Sequence, residues 1–574
     1  MSLQGLTLFS TLLLVFLSAI AGGLLARKLK QPMLLGYIVA GIVVGNIAPR
    51  ATDRAVLDLI SDIGITFLLF TIGVEFSLHR LSRRIRVVWK LAGIQILVCS
   101  AVFVLLLGWI GLPFLPSLFI AVACSLSSTA VVVKTLSEKG DLETVPGEIA
   151  TAWLIVQDLA VVPIMLLLPA IAGSFGTDTF STATILGSIV FSLLKAGVIL
   201  SSIFFLTRSI LPWVINRIAE IGSREIFLLT TVGIVFFAAA ASYALGLSPA
   251  LGAFIAGLVI SETGQNHAVF AEVRPLRDLF AVVFFVSLGM VLPVRSLLEQ
   301  SAMLVGMTLS VIVVKWIVVV FCMRFSQSHR KTAVFVALLL TQMSEFGFII
   351  AREGSRLGVL DTRLYLFLVA LTFSTIFVST PLIGNSDRIY DGIGRFLRKF
   401  PKLFPISAEV RSEEASRLSD HVVLCGYGRV GRYIGRALSL VGIPFVVIDY
   451  NHATIAVLRQ KGIRVMYGDP ADREVLAEAN VQSARCIVIA IPDRHTQEMV
   501  IGNIQTLSRR VRIICRTHHE EDQSRLRALG VHTIIQPEFE GALSIVSRLL
   551  SDFGFAPEDI SCNITRLKIE HGVG

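Results

Sequence analysis

The first 383 residues are dominated by apolar segments too long and too closely spaced for a soluble fold. A bilayer span takes about 20 such residues. Thirteen segments qualify: 6–26, 33–48, 56–76, 87–111, 117–135, 149–172, 184–207, 225–245, 247–261, 277–293, 302–323, 332–351 and 361–383. In hydrocarbon every backbone N–H and C=O must find its partner within the protein, so closely spaced apolar segments of this length are helices. The fold class expected is a polytopic α-helical membrane protein of about thirteen spans. Composition agrees: hydrophobic residues make up 54% and charged residues 16%, against about 25% charged in soluble domains. Wholly soluble, fibrous and mostly disordered chains are excluded. The net charge of +10 belongs to the loops of a membrane protein and not to a nucleic-acid partner.

Those loops also set an orientation. With the N-terminus outside, the cytoplasmic loops are about threefold richer in Lys and Arg than the external ones. An odd span count then leaves the C-terminal region in the cytoplasm. The loop from Arg352 to Arg363 breaks the bias, with three arginines on the external side. The seven cysteines form no CxxC pair, which argues against a zinc site or a disulfide framework.

Hydropathy collapses after residue 383. Residues 384–420 read as a polar, basic linker. From 421 to 540, short apolar runs alternate with helical stretches, the pattern of a parallel sheet wrapped by helices. Residues 541–574 carry no assignable pattern. The opening of the βαβ series is Cys425-Gly426-Tyr427-Gly428-Arg429-Val430-Gly431, a GxGxxG between a strand and a helix. Gly426 permits a tight turn, Gly428 lets backbone approach a phosphate, and Gly431 allows close helix–strand packing. The helix start, with Arg429 and Val430, offers N–H groups to an anion. Asp449 ends the second strand, 18 residues beyond Gly431, where a carboxylate holds ribose hydroxyls. No catalytic acid–base set accompanies the loop, so ligand sensing is expected over hydride transfer, and the chain is read as a transporter and not an enzyme.

An ionisable side chain at membrane depth costs about 2.5–3.5 kcal/mol on insertion scales. Asp158 lies near the middle of span six. A buried carboxylate there holds either a proton or a metal cation, and that competition is the chemistry of a cation/proton exchanger. Lys315, mid-span in span eleven, is its expected ion-pair partner. Lys195 in span seven reads as lining water or snorkelling. Ser127-Ser128-Thr129-Ala130 in span five and Gln342-Met343-Ser344-Glu345-Phe346-Gly347 in span twelve are polar interruptions in apolar runs. Such interruptions mark broken helices whose ends face an ion. Their opposite directions suit an inverted repeat of spans 1–6 and 8–13, with span seven as connector.

Together these residues resemble the monovalent cation:proton antiporter-2 family, specifically its Kef-type potassium/proton antiporters. The marks are Ser127–Ala130, Gln157-Asp158 with Pro163, Phe284–Met290, Lys315, and Gln342 with Glu345-Phe346. The cytoplasmic domain resembles the TrkA-N (RCK) module, with Gly468-Asp469 as a further mark. The resemblance implies a sodium/proton-antiporter-like fold whose core holds two crossed broken helices and moves by elevator-like alternating access. It implies an ion site of Asp158, Gln157, Ser128, Thr129 and Lys315, supported at the second break by Gln342 and Glu345, with potassium and proton as substrates and no resident metal. In the TrkA-N module it implies that Gly426, Gly428, Arg429, Val430, Gly431, Asp449 and Asp469 hold a regulatory adenine nucleotide, NAD(H) or AMP. Homodimerisation through both domains, an ancillary regulatory subunit and an inner-membrane location are further implications. Glutathione control is put in doubt by His518-His519, which departs from the family's more basic pattern. Sodium/proton exchange and a nucleotide-gated cation channel are the alternatives; a membrane-anchored NAD-dependent oxidoreductase is disfavoured.

Overall fold

The computed structural model describes residues 3–570 except 48–53, 76–84, 175–210, 245–248, 326–329, 393–417 and 518–521 and positions 30, 140, 143, 219, 387, 391 and 492. The expected span seven, Lys195, most of the linker and His518-His519 therefore lie outside the described residues. The chain divides into two compact units. One comprises Met1–Thr135, Ile149–Ser326 and Val334–Ser386; the other comprises Leu136–Glu148, Gln327–Ala333 and Asp387–Gly574.

The first unit is helical, and three of its helices carry an end, residues 136–139, 145–148 and 330–333, that belongs to the second. Its elements begin with α1 (Leu3–Lys28), α2 (Met33–Ile47), α3 (Arg54–Glu75), α4 (Ile85–Trp109), α5 (Phe114–Ser125), α6 (Thr129–Lys139) and α7 (Val145–Ser174). They continue with α8 (Arg224–Ala244), α9 (Pro249–Ser261), α10 (Asn266–Met290), α11 (Val294–Glu299), α12 (Ser301–Phe325), α13 (Arg330–Leu339), α14 (Phe346–Arg356) and α15 (Thr362–Gly384). Among the described residues, seven helices are long and apolar enough to cross a membrane. Three shorter apolar helices, Met33–Ile47, Leu59–Val74 and Pro249–Ser261, fall on expected spans. Spans five and twelve are each two helices, α5 with α6 and α13 with α14, parted at the polar interruptions read from the sequence.

Lipid tails are as apolar as leucine, so helices in a bilayer associate through close packing and small residues. The Phe284–Met290 stretch follows that rule. A Cβ on Gly289 would stand 2.1 Å from the Ile38 oxygen, and one on Gly41 would stand 2.1 Å from the Val286 oxygen. Helices α2 and α10 thus touch backbone to backbone. Two of the three arginines counted near the end of span twelve find acidic partners. Arg352 meets Asp62 at 2.7 Å and Arg356 meets Glu353 at 2.6 Å, which offsets charge that the loop bias alone leaves unexplained.

The second unit is built on a six-stranded sheet, β1 (Val422–Cys425), β2 (Phe445–Asp449), β3 (Val465–Tyr467), β4 (Cys486–Ile489), β5 (Arg512–Arg516) and β6 (Thr533–Ile535). Every pairing is parallel and the order is β3-β2-β1-β4-β5-β6. Parallel sheets are covered on both faces, so their strands read as continuous apolar runs; all four residues of β1 are buried. Between β1 and β6 lie α16 (Arg429–Val441), α17 (His452–Gln460), α18 (Arg473–Glu478), α19 (Arg494–Leu507) and α20 (Asp522–Ala528), and two further helices, α21 (Pro537–Asp552) and α22 (Pro557–Glu570), cover the stretch that the sequence left unassigned. Gly554, with φ +81°, turns the chain between them.

Candidate functional site

The two breaks of the first unit are brought together. After Ser125 the chain goes extended at Leu126 and resumes helix at Thr129. Ser127 Oγ donates to the Leu340 oxygen of the other break at 2.9 Å, and Gln342 Nε2 donates to the Ser128 oxygen at 3.4 Å. The Lys315 ammonium reaches across from α12. It donates to the Leu126 oxygen at 2.5 Å and to the Gln342 oxygen at 2.7 Å. Both acceptors lie just past the C-terminal ends of half-helices, where the helix dipole leaves negative partial charge and a cation is stabilising. The expected Lys315–Asp158 ion pair is therefore not formed: the lysine is fully buried and its donors serve these carbonyls.

Asp158 sits instead at the opposite electrostatic pole. Its Oδ2 accepts from Thr129 Oγ1 at 2.7 Å, and Thr129 is the first residue of α6, where dipole and unpaired N–H groups favour an anion. Gln157 beside it is buried. Its Oε1 accepts from the Ser127 N–H at 3.0 Å, and its Nε2 donates to Gln95 Oε1 at 2.5 Å. Ser128 Oγ accepts from the Val131 N–H at 3.4 Å. Glu345 precedes α14 without capping it by its side chain. The break residues Thr129, Ser128 and Gln342 and the span residues Gln157, Asp158 and Lys315 thus form one connected cluster. Gln95, on α4, belongs to it too; a lone glutamine in an apolar span carries no motif that would have flagged it.

The second unit assembles its loop at the point where strand order reverses, between β1 and β4, the usual place for a nucleotide in such sheets. Gly426 has φ +91°, a conformation only glycine takes without strain. A Cβ on Gly431 would stand 2.2 Å from the Gly426 oxygen, while nothing lies within 4 Å of one on Gly428. The first observation explains the close packing of loop and helix; the second leaves open space where a phosphate would approach Gly428, Arg429 and Val430. Asp449 Oδ2 accepts from the Tyr427 N–H and Oδ1 from the Asn451 N–H, each at 2.7 Å. Burial raises the Asp449 pKa above the ordinary carboxylate value, and these two N–H groups oppose the shift. Arg516, at the end of β5, has its pKa lowered by burial, and nearby Arg429 acts in the same direction while Glu538 opposes. Arg516 is thus within electrostatic reach of both Glu538 and Arg429, the residue that follows Gly428. Asp469 is buried and accepts from the Ala471 N–H at 2.9 Å. Lys331, whose segment 327–333 clusters with this unit, lies 3.6 Å from Asp469 Oδ2 and donates to Thr496 Oγ1 at 2.7 Å. In the sequence Lys331 looked like one more basic loop residue.

Comparison with known proteins agrees with both halves. The family described as "Sodium/hydrogen exchanger, transmembrane" matches residues 12–384, and the TrkA-N domain family matches residues 422–537. YbaL of Escherichia coli (strain K12), whose name assigns it provisionally to cation/proton antiport, is 28% identical over 533 residues, covering 92% of this chain and 94% of that protein. The glutathione-regulated potassium-efflux system protein KefC of Escherichia coli O6:H1 (strain CFT073) is 28% identical over 535 residues, covering 93% and 83%. The solved structure of the sodium proton antiporter MjNhaP1 from Methanocaldococcus jannaschii covers 66% of this chain and 97% of its own, at 15% identity and a TM-score of 0.50, a likeness of fold. The chain is an integral membrane protein of the sodium/hydrogen exchanger family carrying a C-terminal TrkA-N domain.

Proposed function

We propose that this protein exchanges potassium for protons, one for one, and that an adenine nucleotide on its TrkA-N domain regulates the exchange. The observation that carries the first part is the Asp158–Thr129 contact of 2.7 Å. It supports a single carboxylate at the positive end of a broken helix, within a cluster of polar groups from both breaks. A cation and a proton compete for that carboxylate, and alternating access converts the competition into exchange. Thr129 and Ser128 assist the ion. Gln342 and Glu345 support the second break, and Lys315 neutralises the two half-helix C-termini.

The ion's identity rests on kinship. A relative named for potassium efflux over 93% of this chain supports potassium; the family's own name keeps sodium as the second reading. In our reading, Gly426–Gly431, Asp449 and Asp469 hold AMP or NAD(H), and Lys331, which opens the helix leading to the second break, passes nucleotide state along the chain. The protein works as a homodimer in the inner membrane, N-terminus outside and TrkA-N domain in the cytoplasm, with room for an ancillary subunit.

The test is cation-driven proton movement in proteoliposomes, comparing potassium with sodium and using Asp158→Asn as control. A potassium-selective signal, lost in the variant and altered by AMP or NADH in the parent, is expected. Potassium flux without proton movement that survives Asp158→Asn would replace the exchanger with a channel.

A further inference from the structure

Gln95 makes four hydrogen bonds, all buried. Its Nε2 donates to the Ser125 oxygen at 2.9 Å and to Cys99 Sγ at 3.4 Å. Its Oε1 accepts from Trp153 Nε1 at 3.3 Å and from Gln157 Nε2 at 2.5 Å. Gln95, Trp153, Ser125 and Ser127 are fully buried, and Gln157 nearly so. Water cannot stand in for a missing partner there without a cavity to hold it.

The chemistry of the end groups dictates which way each amide points. The Trp153 indole only donates and a carbonyl oxygen only accepts. Gln95 must therefore turn its oxygen to Trp153 and its NH2 to Ser125. Gln157 must then turn its NH2 to Gln95, which sends its oxygen to the Ser127 N–H, a group that only donates. The pair has one self-consistent arrangement, and in it the Gln157 amide is engaged at both ends by protein.

Its effect is to fix the break in span five. Ser125 ends α5, and its oxygen is one of the orphan carbonyls of a helix end. Gln95 holds that oxygen, Lys315 holds the Leu126 oxygen, and Gln157 holds the Ser127 N–H. The step from Ser125 to Ser127 is thereby tied from three other helices, α4, α12 and α7. The next two residues are Ser128 and Thr129, and Thr129 meets Asp158 on the helix that also carries Gln157.

We infer that Gln95 is a positioning residue of the cation site: through Gln157 and Ser125 it sets the break so that Thr129 and the start of α6 face Asp158. Gln157 belongs to this clamp and does not ligate the ion. The inference rests on the reading of Asp158 as the exchange carboxylate. It names a residue, Gln95, that touches neither ion nor carboxylate and yet tunes their affinity.

The full-length chain in proteoliposomes tests it, with proton movement measured against potassium concentration for the parent, Gln95→Leu, Gln95→Glu and Asp158→Asn. Removing one partner of a buried hydrogen bond leaves the other unsatisfied, and if that cost falls on the ion-competent geometry, apparent affinity drops on the order of tenfold. Gln95→Leu is expected to raise the half-saturating potassium concentration by that factor while the rate at saturating potassium falls much less. Gln95→Glu keeps the acceptor for Trp153 and Gln157, and when neutral it can donate to Ser125, so it should lie nearer the parent. A merely structural role would lower the maximal rate through loss of folded protein and leave half-saturation alone; that result overturns the inference. Gln95→Met, close in shape and apolar, carries the same test if the leucine variant does not fold. Asp158→Asn separates the two levels. If it is silent and the Gln95 variants match the parent, only the positioning role fails; if it still exchanges, the site itself is misassigned.

Discussion

The ammonium of Lys315 lies 2.7 Å from the main-chain oxygen of Gln342 and serves the Leu126 oxygen as well. A buried lysine at the crossing of two broken helices is thus a cap for helix ends, not the counterion of Asp158. Two predictions separate these roles.

Lys315→Met leaves two buried carbonyls without a donor. At about 1–3 kcal/mol for each unsatisfied group, the variant should melt several degrees below the parent in detergent. If Lys315 served mainly as Asp158's counterion, adding Asp158→Asn would restore stability. The caps predict no restoration, measured as the melting midpoints of the two single variants and the double.

Gln157→Asp places a second carboxyl beside Asp158. The change removes the donor that meets Gln95 Oε1 and shortens the reach to the Ser127 N–H. Exchange should slow roughly tenfold, the equivalent of about 1.4 kcal/mol, with no net charge moved per cycle. Proton movement with and without a potential clamp reads both quantities; charge movement in the variant would contradict the clamp arrangement.

Gly289→Val drives a branched side chain into the Ile38 oxygen, which a Cβ alone would approach to 2.1 Å. Overpacking of this kind costs about 1–3 kcal/mol or more, and here the obstacle is backbone. Folded yield and melting midpoint should both fall. Gly306→Ala, where nothing lies within 4 Å of a Cβ, is the matched control and should be neutral or mildly stabilising.

Asp449→Asn keeps the shape of the side chain but turns an NH2 toward one of the two N–H groups that Asp449 accepts, Tyr427 or Asn451. It also removes the charge that would hold ribose hydroxyls. Affinity for AMP and NADH, by titration calorimetry on the full chain, should fall on the order of tenfold or more, since hydrogen bonds to charged groups contribute about 1.5–3 kcal/mol.

His421 opens the TrkA-N domain fully buried, with Nε2 at 3.0 Å from the Ala479 oxygen. Burial lowers its pKa below 6.5, against smaller opposing effects of that carbonyl and of Asp420. The unfolded chain therefore binds a proton at higher pH than the folded one. Stability from this group is full above about pH 6.5 and is lost as the pH falls from there toward the folded value. Thermal melts of the regulatory transition between neutral and mildly acidic pH should show this loss, and His421→Gln should flatten it.

Much of this is legible in the sequence alone. Twelve of the thirteen expected spans fall on described helices, because hydropathy is a property of composition and needs no geometry. The breaks were legible because Ser127–Ala130 and Gln342–Gly347 interrupt apolar runs. The glycine loop was legible because Gly426 and Gly431 answer steric demands local to the chain. What escaped was pairing at a distance. Lys315 stood out as a charge within a span, but its contacts are main-chain oxygens and not Asp158, since burial marks a charge as costly without saying which partner offsets the cost. Gln95 and Lys331 escaped altogether: one lacks any periodic or charge signal, and the other hides among basic residues placed by topology. The segment after 540 escaped although Pro537 and Pro557 each open one of its helices, the position proline favours.

One hydrogen bond has a genetic consequence. Ser127 and the Leu340 oxygen are 213 residues apart in the chain, yet each break is shaped partly by the other. A lesion in span five should therefore acquire its compensating changes in span twelve, not among its neighbours in sequence. In a selection for restored growth, second-site revertants of Ser127→Ala would cluster around residues 340–345, and the two segments would drift as a pair.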